Sequence, residues 1–371
     1  MQVAFNAGDF NHGMSMVSHA LPVRPQTPTI HENVMLETAE DGIRLTVTDG
    51  EVMIRSTVPA QVMEEGAALL PARLLGEFVR NLDGDVSLET DGQGRASVHS
   101  RGSRARMVLV DPANYPTVEF EEPESITVLP QERFKNAVGS IIFALAADES
   151  RRILTGCLME TGEKEVRFVC LDGYRLAMQK VESGHELPPG KEYLSHILPG
   201  ALVGNIARML PDAEQPITLS LGKTHMRAEF GRTVVYAPLI QGEYINYRQI
   251  LPTSWTTAVR VGRKVLQEAI QRGSLIAREG SNNLLRLRLE DQSMTISANA
   301  EAASVTEQLP IDFDGSPLSI AFNANYLGDV VKNIDTDDLS MRFNTSVSPC
   351  VVSPVSGDQY TYLVLPVRVS E

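Results

Sequence analysis

The sequence predicts an α+β protein built from three repeated domains, each with two helices packed on antiparallel sheets. Three observations lead there. One helix-forming segment recurs three times, the segments around it recur in the same order, and strands with clear alternation fill the intervals. At 371 residues the chain exceeds what one hydrophobic core usually organises, whereas a third of it suits a compact domain.

The recurring helix reads LPARLLGEFVRNL from Leu70, LPGALVGNIARML from Leu198 and FNANYLGDVVKNI from Phe322, about 125 residues apart. Pro71, Pro199 and Asn323 hold the same place in each copy. Apolar residues follow at helical spacing: Leu74, Phe78 and Leu82; Leu202, Ile206 and Leu210; Tyr326, Val330 and Ile334. Each unit also opens with an amphipathic helix, expected over Phe10 to Leu21, Gln131 to Leu145 and Arg263 to Ile276. Upstream of each copy of the recurring helix a strand runs into a turn, at Gly50, Gly173 and Ala300, and strand pairs follow downstream. The joints fall best at Glu119 to Glu124 and at Leu251 to Thr257, which gives domains 1–122, 123–252 and 253–371.

Alternation in Ile43, Leu45 and Val47, in Val166, Phe168 and Cys170, and in Leu285, Leu287 and Leu289 predicts strands with one face in a core. Asp41-Gly42, Asp91-Gly92, Thr161-Gly162 and Ser356-Gly357 supply the turns. Hydrophobic content of 43% supports buried cores. No run of apolar residues is long enough to span a bilayer, and MQVAFNAGDF has neither the basic start nor the apolar stretch of a signal peptide. A cytoplasmic protein without membrane attachment is expected, with Cys157, Cys170 and Cys350 as buried, reduced thiols.

Catalytic chemistry leaves little trace. No zinc-protease, nucleophile-elbow or phosphate-loop motif is present, and the glycines at Gly92 and Gly94 suit a hairpin turn. His12 and His19 share a helix face but lack further ligands nearby for a metal. No catalytic residue, metal or cofactor is therefore expected. The net charge of −14 argues against a protein that grips nucleic acid with its whole surface. The helical segments nevertheless carry an excess of Lys and Arg, and the negative charge lies outside them. If the helices face one way, they line a surface of modest positive potential that phosphates can approach without being held tightly.

The order ADESRRILTG, LDGYRLA, LIQGEYINYRQILP, FNANYLGDVV and YLVLPVR resembles the bacterial DNA polymerase III beta subunit family, the sliding clamps, along essentially the whole chain. The resemblance implies a head-to-tail homodimer in which six domains close a ring, with sheets outside and helices lining a hole that holds double-stranded DNA. Retention is then topological and independent of sequence, and the protein is a non-catalytic subunit of a polymerase holoenzyme that serves DNA replication. Implied partners are the DNA polymerase III alpha subunit, the clamp loader and other proteins carrying a short clamp-binding motif.

The same resemblance implies particular residues. DNA-facing positions match Arg24, Arg73, Arg80 and Arg151, whereas Gly200 and Ala201 stand where the family often has basic residues, leaving DNA contact from that stretch open. A partner-peptide cleft between the second and third domains matches Leu154, Leu171, Gly173, Tyr174, Arg175 and Leu176, then Ile245, Tyr247 and Ile250. It continues through Asn323, Tyr326 and Val347 to Leu363, Leu365, Pro366, Val367 and Arg368. Arg175 or Arg368 would fix polar atoms of the peptide. Tyr174 replaces a common histidine, Ile245 a frequent proline, and Leu365 and Val367 methionines of some relatives, so a stiffer pocket with altered preference is expected. The acidic tip Ser370-Glu371 is expected near this cleft. The ring joint is expected to join Arg104, Arg106 and Met107 to Leu275, Ile276 and Glu301. Two alternatives stay open: a specialised clamp paralogue with altered partner choice or inhibitor tolerance, and a repeat-built enzyme with a site at a domain junction.

Overall fold

The computed structural model describes residues 1–22, 29–185, 187, 189–211 and 213–368. Two contact units result. One combines Met1–Glu132 with Met209–Leu239, the other Arg133–Arg208 with Ile240–Glu371. Among the described residues the α-helices are α1 (Ala7–Val17), α2 (Ala72–Arg80), α3 (Gln131–Gly139), α4 (Gly200–Met209), α5 (Arg263–Ala277) and α6 (Ala324–Lys332). They fall two to each repeat.

The first unit holds a sheet of five strands, in the order Ala60–Glu64, Gln2–Asn6, Asp85–Thr90, Arg95–Ser100, Ser103–Val108. Its second sheet has eight strands, and neighbours pair antiparallel. Strands Ser125–Pro130, Pro216–Leu221, His225–Phe230 and Thr233–Pro238 of the middle repeat continue there into Met53–Val58, Gly42–Thr48, Asn33–Ala39 and Ala67–Pro71 of the first. The second unit is built likewise. Its nine-stranded sheet carries Leu194–Pro199, Gly156–Thr161, Glu165–Leu171 and Arg175–Glu182 into Tyr360–Val364 and the strands after it, through the pairing of Leu176 with Leu363. A four-stranded sheet ends on Ser304–Pro310. The middle repeat therefore contributes four strands to a shared sheet in each unit, which no local pattern could foretell.

Helix ends differ from expectation for identifiable reasons. The first residues of each recurring segment are strand: Ala67–Pro71, Leu194–Pro199 and Leu318–Asn323 lead directly into α2, α4 and α6. The shared position at Pro71, Pro199 and Asn323 is thus the strand-to-helix junction. Asn323 caps α6, its side chain accepting from the N–H of Asn325. The opening helix of the first repeat starts early because Asn6 caps it, accepting from Gly8 N–H. That of the middle repeat stops at Gly139, and a short 3-10 turn, Ile142–Ala144, follows.

Buried faces also shift. In α2 the buried residues are Ala72, Leu75, Gly76 and Val79, while Leu74 of the expected stripe is 54% exposed. Apolar residues spaced by four advance about 40° around the helix at each step, so two stripes compete and packing selects one. The stripe with Gly76 allows α1 to come close, since Met14 Cε lies 3.4 Å from where a Cβ would stand. Gly13 of α1 does the same on its other side: an added Cβ would meet Val58 at 2.6 Å.

Leu285, Leu287 and Leu289 are fully buried with Arg286 and Arg288 exposed between them, as alternation predicts. In Gly42–Thr48 and Glu165–Leu171 the intervening Thr46, Thr48, Val169 and Leu171 are buried as well, because both faces of these strands are covered. All three cysteines are buried and none forms a disulfide. Burial, with Cys157 beside it, pushes the Cys170 thiol well up.

Candidate partner cleft

The cleft forms entirely within the second unit and begins at a turn. Gly173, at φ +94°, ends strand Glu165–Leu171 and reverses the chain. Asp172 Oδ1 accepts from the N–H groups of Tyr174 (2.8 Å) and Arg175 (3.0 Å), fixing that turn. The Tyr174 carbonyl accepts from Leu365 N–H at 2.8 Å, and Val367 N–H donates to the Ala321 carbonyl at 2.8 Å. The terminal segment is thereby tied between the turn and strand Leu318–Asn323. Tyr326, in the first turn of α6, stacks on Tyr174 with centroids 5.5 Å apart and 18° between planes.

These segments enclose a groove of about 900 Å³ lined by Gly173, Tyr174, Asn323, Tyr326, Leu365, Pro366 and Val367. Each was expected there. Arg278, Gly280, Asn282 and Asn283 line it too and were not. Asn282 and Asn283 both adopt left-handed conformations, φ 68° and 50°, which consecutive asparagines tolerate better than most residues. That pair was a legible turn signal. Arg278, at the end of α5, carried none, because its role comes from what the chain brings against it.

The other expected cleft residues take different stations. Leu154, Leu171, Leu176, Tyr247 and Leu363 belong to one buried cluster against which Leu365 packs. They support the groove from below. Tyr247 donates to Glu160 at 2.7 Å, and Arg248 grips the same carboxylate with both terminal nitrogens at 2.9 and 2.7 Å. Burial and that carboxylate push the Tyr247 phenol up. Ile245, Ile250, Val347 and Arg368 are exposed in the same unit and are not among the groove's lining residues. Arg175 bonds Asp172 at 3.0 Å and Asp329, and its guanidinium lies 4.9 Å from the Tyr326 ring centre. Two carboxylates already balance its charge, so it braces the aromatic pair.

Arg73 and Arg80 stand on the exposed face of α2, with Arg73 donating to the Pro22 carbonyl at 2.9 Å. Arg24, Ser370 and Glu371 lie outside the described residues. Arg151 sits at the cleft turn, its Nη1 3.0 Å from where a Cβ on Gly173 would stand. Gly200 has a steric reason to be bare: a Cβ would come within 2.5 Å of both Leu145 Cδ1 and the Thr155 carbonyl oxygen. A second groove of about 730 Å³, within the same unit, instead gathers Lys135 of α3, Arg208 of α4 and Lys332 of α6.

Arg104, Arg106 and Met107 occupy the outermost strand of the five-stranded sheet. Arg104 pairs with Glu89 at 3.2 Å, Met107 is buried, and neighbouring Val108 is 69% exposed. Leu275 on α5 is 60% exposed, Ile276 half-buried, and Glu301 exposed just before the edge strand Ser304–Pro310. Arg272 of α5 grips Glu307 on that strand through two contacts of 2.8 Å.

Among the described residues no helix is long and apolar enough to cross a membrane. Comparison with known proteins matches residues 1–119 to the DNA polymerase III beta subunit N-terminal domain, 128–246 to its central domain and 248–368 to its C-terminal domain. The chain is similar to the beta sliding clamp of Synechococcus elongatus, 29% identical over 100% of both chains. It is also similar to that of Staphylococcus aureus, 27% identical over 93% of this chain and 94% of the relative. Among solved structures, the DNA polymerase III subunit beta of Pseudomonas aeruginosa aligns over 100% of both chains at 25% identity with a TM-score of 0.92. The Bacillus subtilis DNA polymerase sliding clamp, at 24% identity, shares the fold over 100% of both chains with a TM-score of 0.93. Matched in order by all three domain families along nearly its entire length, the chain belongs to the DNA polymerase III beta subunit family.

Proposed function

We propose that this protein is a DNA sliding clamp, a non-catalytic ring that encloses duplex DNA and tethers the replicative polymerase, the clamp loader and other motif-bearing proteins through the groove at Tyr174 and Tyr326. The observation that carries this reading is the ordered match of all three domains along the chain. Domains meeting near 122 and 252 would place two helices in each, six per chain and twelve per dimer. Enclosure explains how a chain of net charge −14 can serve DNA. The hole needs only weak contacts, from Arg73, Arg80 and the cations of the second groove, and these permit sliding. The chain would work in the cytoplasm.

Retention on circular DNA tests it. The protein, loaded by a clamp loader and isolated in moderate salt, is expected to stay on the circle and to leave once the circle is cut. Salt-sensitive release that ignores cutting would mean ordinary electrostatic association and would overturn the clamp reading. A specialised clamp is a second reading, favoured by the groove itself, where the branched Leu365 and Val367 and the stacked Tyr174 and Tyr326 make a stiff lining. Narrow selectivity among partner peptides would distinguish it.

A further inference from the structure

We propose that a pocket in the first unit, where the first and middle repeats meet, binds a free adenine ribonucleotide. The pocket is remote from the partner cleft in sequence and composition and lies wholly within that unit. Its volume of about 480 Å³ is that of a small-molecule site. Its floor is the seam between the repeats. Ser56 of strand Met53–Val58 stands opposite Thr233 of strand Thr233–Pro238, and their buried hydroxyls approach to 3.4 Å. Gln131 adds an acceptor that lacks a donor. It is 2% exposed, and its Nε2 donates to the Pro216 carbonyl at 3.2 Å, which fixes how the amide is turned. The other amide atom, Oε1, is buried and has no hydrogen-bond partner. Buried acceptors are normally paired, so a ligand N–H that reached this oxygen would relieve a standing cost.

The rest of the lining selects what carries that N–H. Met16, Met209 and Phe230 supply apolar surface for a flat ring. Adenine sets a donor, its 6-amino group, beside an acceptor, N7. The amino group would meet Gln131 Oε1 while a hydroxyl of the Ser56–Thr233 pair donates to N7. Guanine presents two acceptors at those positions and would leave Oε1 facing another oxygen. Asp9, His12 and Arg232 stand at the exposed mouth. Among the described residues no carboxylate pairs with Arg232, whose fork suits a phosphate. Asp9 suits the paired hydroxyls of a ribose, as acids do in dinucleotide sites. Deoxyribose lacks one of those hydroxyls, so the mouth favours a free ribonucleotide over an adenine at the end of a DNA strand.

Calorimetric titration of the full-length chain tests this with adenosine monophosphate, guanosine monophosphate, adenosine, inorganic phosphate and a short single-stranded oligodeoxyadenylate. Adenosine monophosphate is expected to bind about tenfold more tightly than guanosine monophosphate and about fivefold more tightly than adenosine. In Arg232→Ala, a change on an exposed side chain that should spare the fold, the nucleotide and the nucleoside should bind alike while adenine stays preferred over guanine. In Gln131→Met that preference should vanish; a thermal melt checks its fold, and Arg232→Ala decides the matter should it not fold. Equal affinity for the two monophosphates, or inorganic phosphate binding as tightly as either, would overturn the adenine assignment. Tighter binding of the oligonucleotide would overturn the free ribonucleotide as occupant, and no binding of any nucleotide would overturn the site itself. None of these outcomes bears on the clamp reading, which the circular-DNA experiment tests separately.

Discussion

Single residues in this protein show how burial turns an ordinary polar group into a structural one. Tyr115 is 8% exposed, and its O–H lies 3.2 Å from the Asn33 carbonyl and 3.1 Å from that of Thr46. Burial pushes its pKa up to about 12, against about 10 for a free phenol. Folding therefore favours the protonated form, so its contribution is whole below pH 10 and is lost as pH rises through about 12. Tyr115→Phe removes the hydroxyl that these carbonyls share and should cost roughly 1–3 kcal/mol at neutral pH. Its alkaline loss of stability should also be shallower than that of wild type. Urea midpoints of both proteins between pH 8 and 12 check this, and a constant difference across that range would show that Tyr115 is not the titrating group. Comparing the two proteins cancels the other buried phenols, Tyr244, Tyr247 and Tyr362, whose pKa values burial also raises. Nothing local to Tyr115 announces this role, because Asn33 and Thr46 lie far from it along the chain.

At the scale of elements, the strand-to-helix junction is the device this chain repeats, and its middle copy is opened by a glycine. Gly200 opens α4 against Leu145 and the Thr155 backbone, with no room for a side chain. Ala201 beside it is exposed. Gly200→Arg should therefore cost stability, roughly 1–3 kcal/mol of overpacking, and lower the thermal midpoint by several degrees. Ala201→Lys should leave the midpoint unchanged and strengthen DNA binding in low salt. Equal midpoints for the two variants would refute the steric account. Helices and strands were legible here because periodicity is local, but Pro71, Pro199 and Asn323, expected within the recurring helix, end the strands before it. The face each helix buries was less so, as Leu74 and Leu75 of α2 illustrate: the sequence offers both, and the approach of α1 at Gly76 favours Leu75.

For the whole molecule, two sheet edges matter most. Ser103–Val108 and Ser304–Pro310 each end a sheet with one side unpaired, a hazard that soluble proteins cover or charge. Arg104 and Arg106 charge the first edge, yet Val108 and, near the second, Leu275 are left more than half exposed. Edge pairing between two copies would cover both, and a head-to-tail contact that closes on itself avoids open filaments. Leu275→Asp should then yield monomers by light scattering, since it sets an unpaired charge in an apolar contact; an unchanged dimer mass would exclude this joint. Unaided, the sequence determined the three-fold repeat, the number and place of the helices and the turn at Gly173, because each depends on neighbours within a few residues. Most of the groove's rim was expected from the family resemblance. Only the tertiary structure decided that the middle repeat gives four strands to a shared sheet in each unit, that Asp172 and Asp329 neutralise Arg175, and that Arg278 joins the groove. Those outcomes depend on pairing and charge between segments distant along the chain, and local pattern does not encode which distant segment arrives.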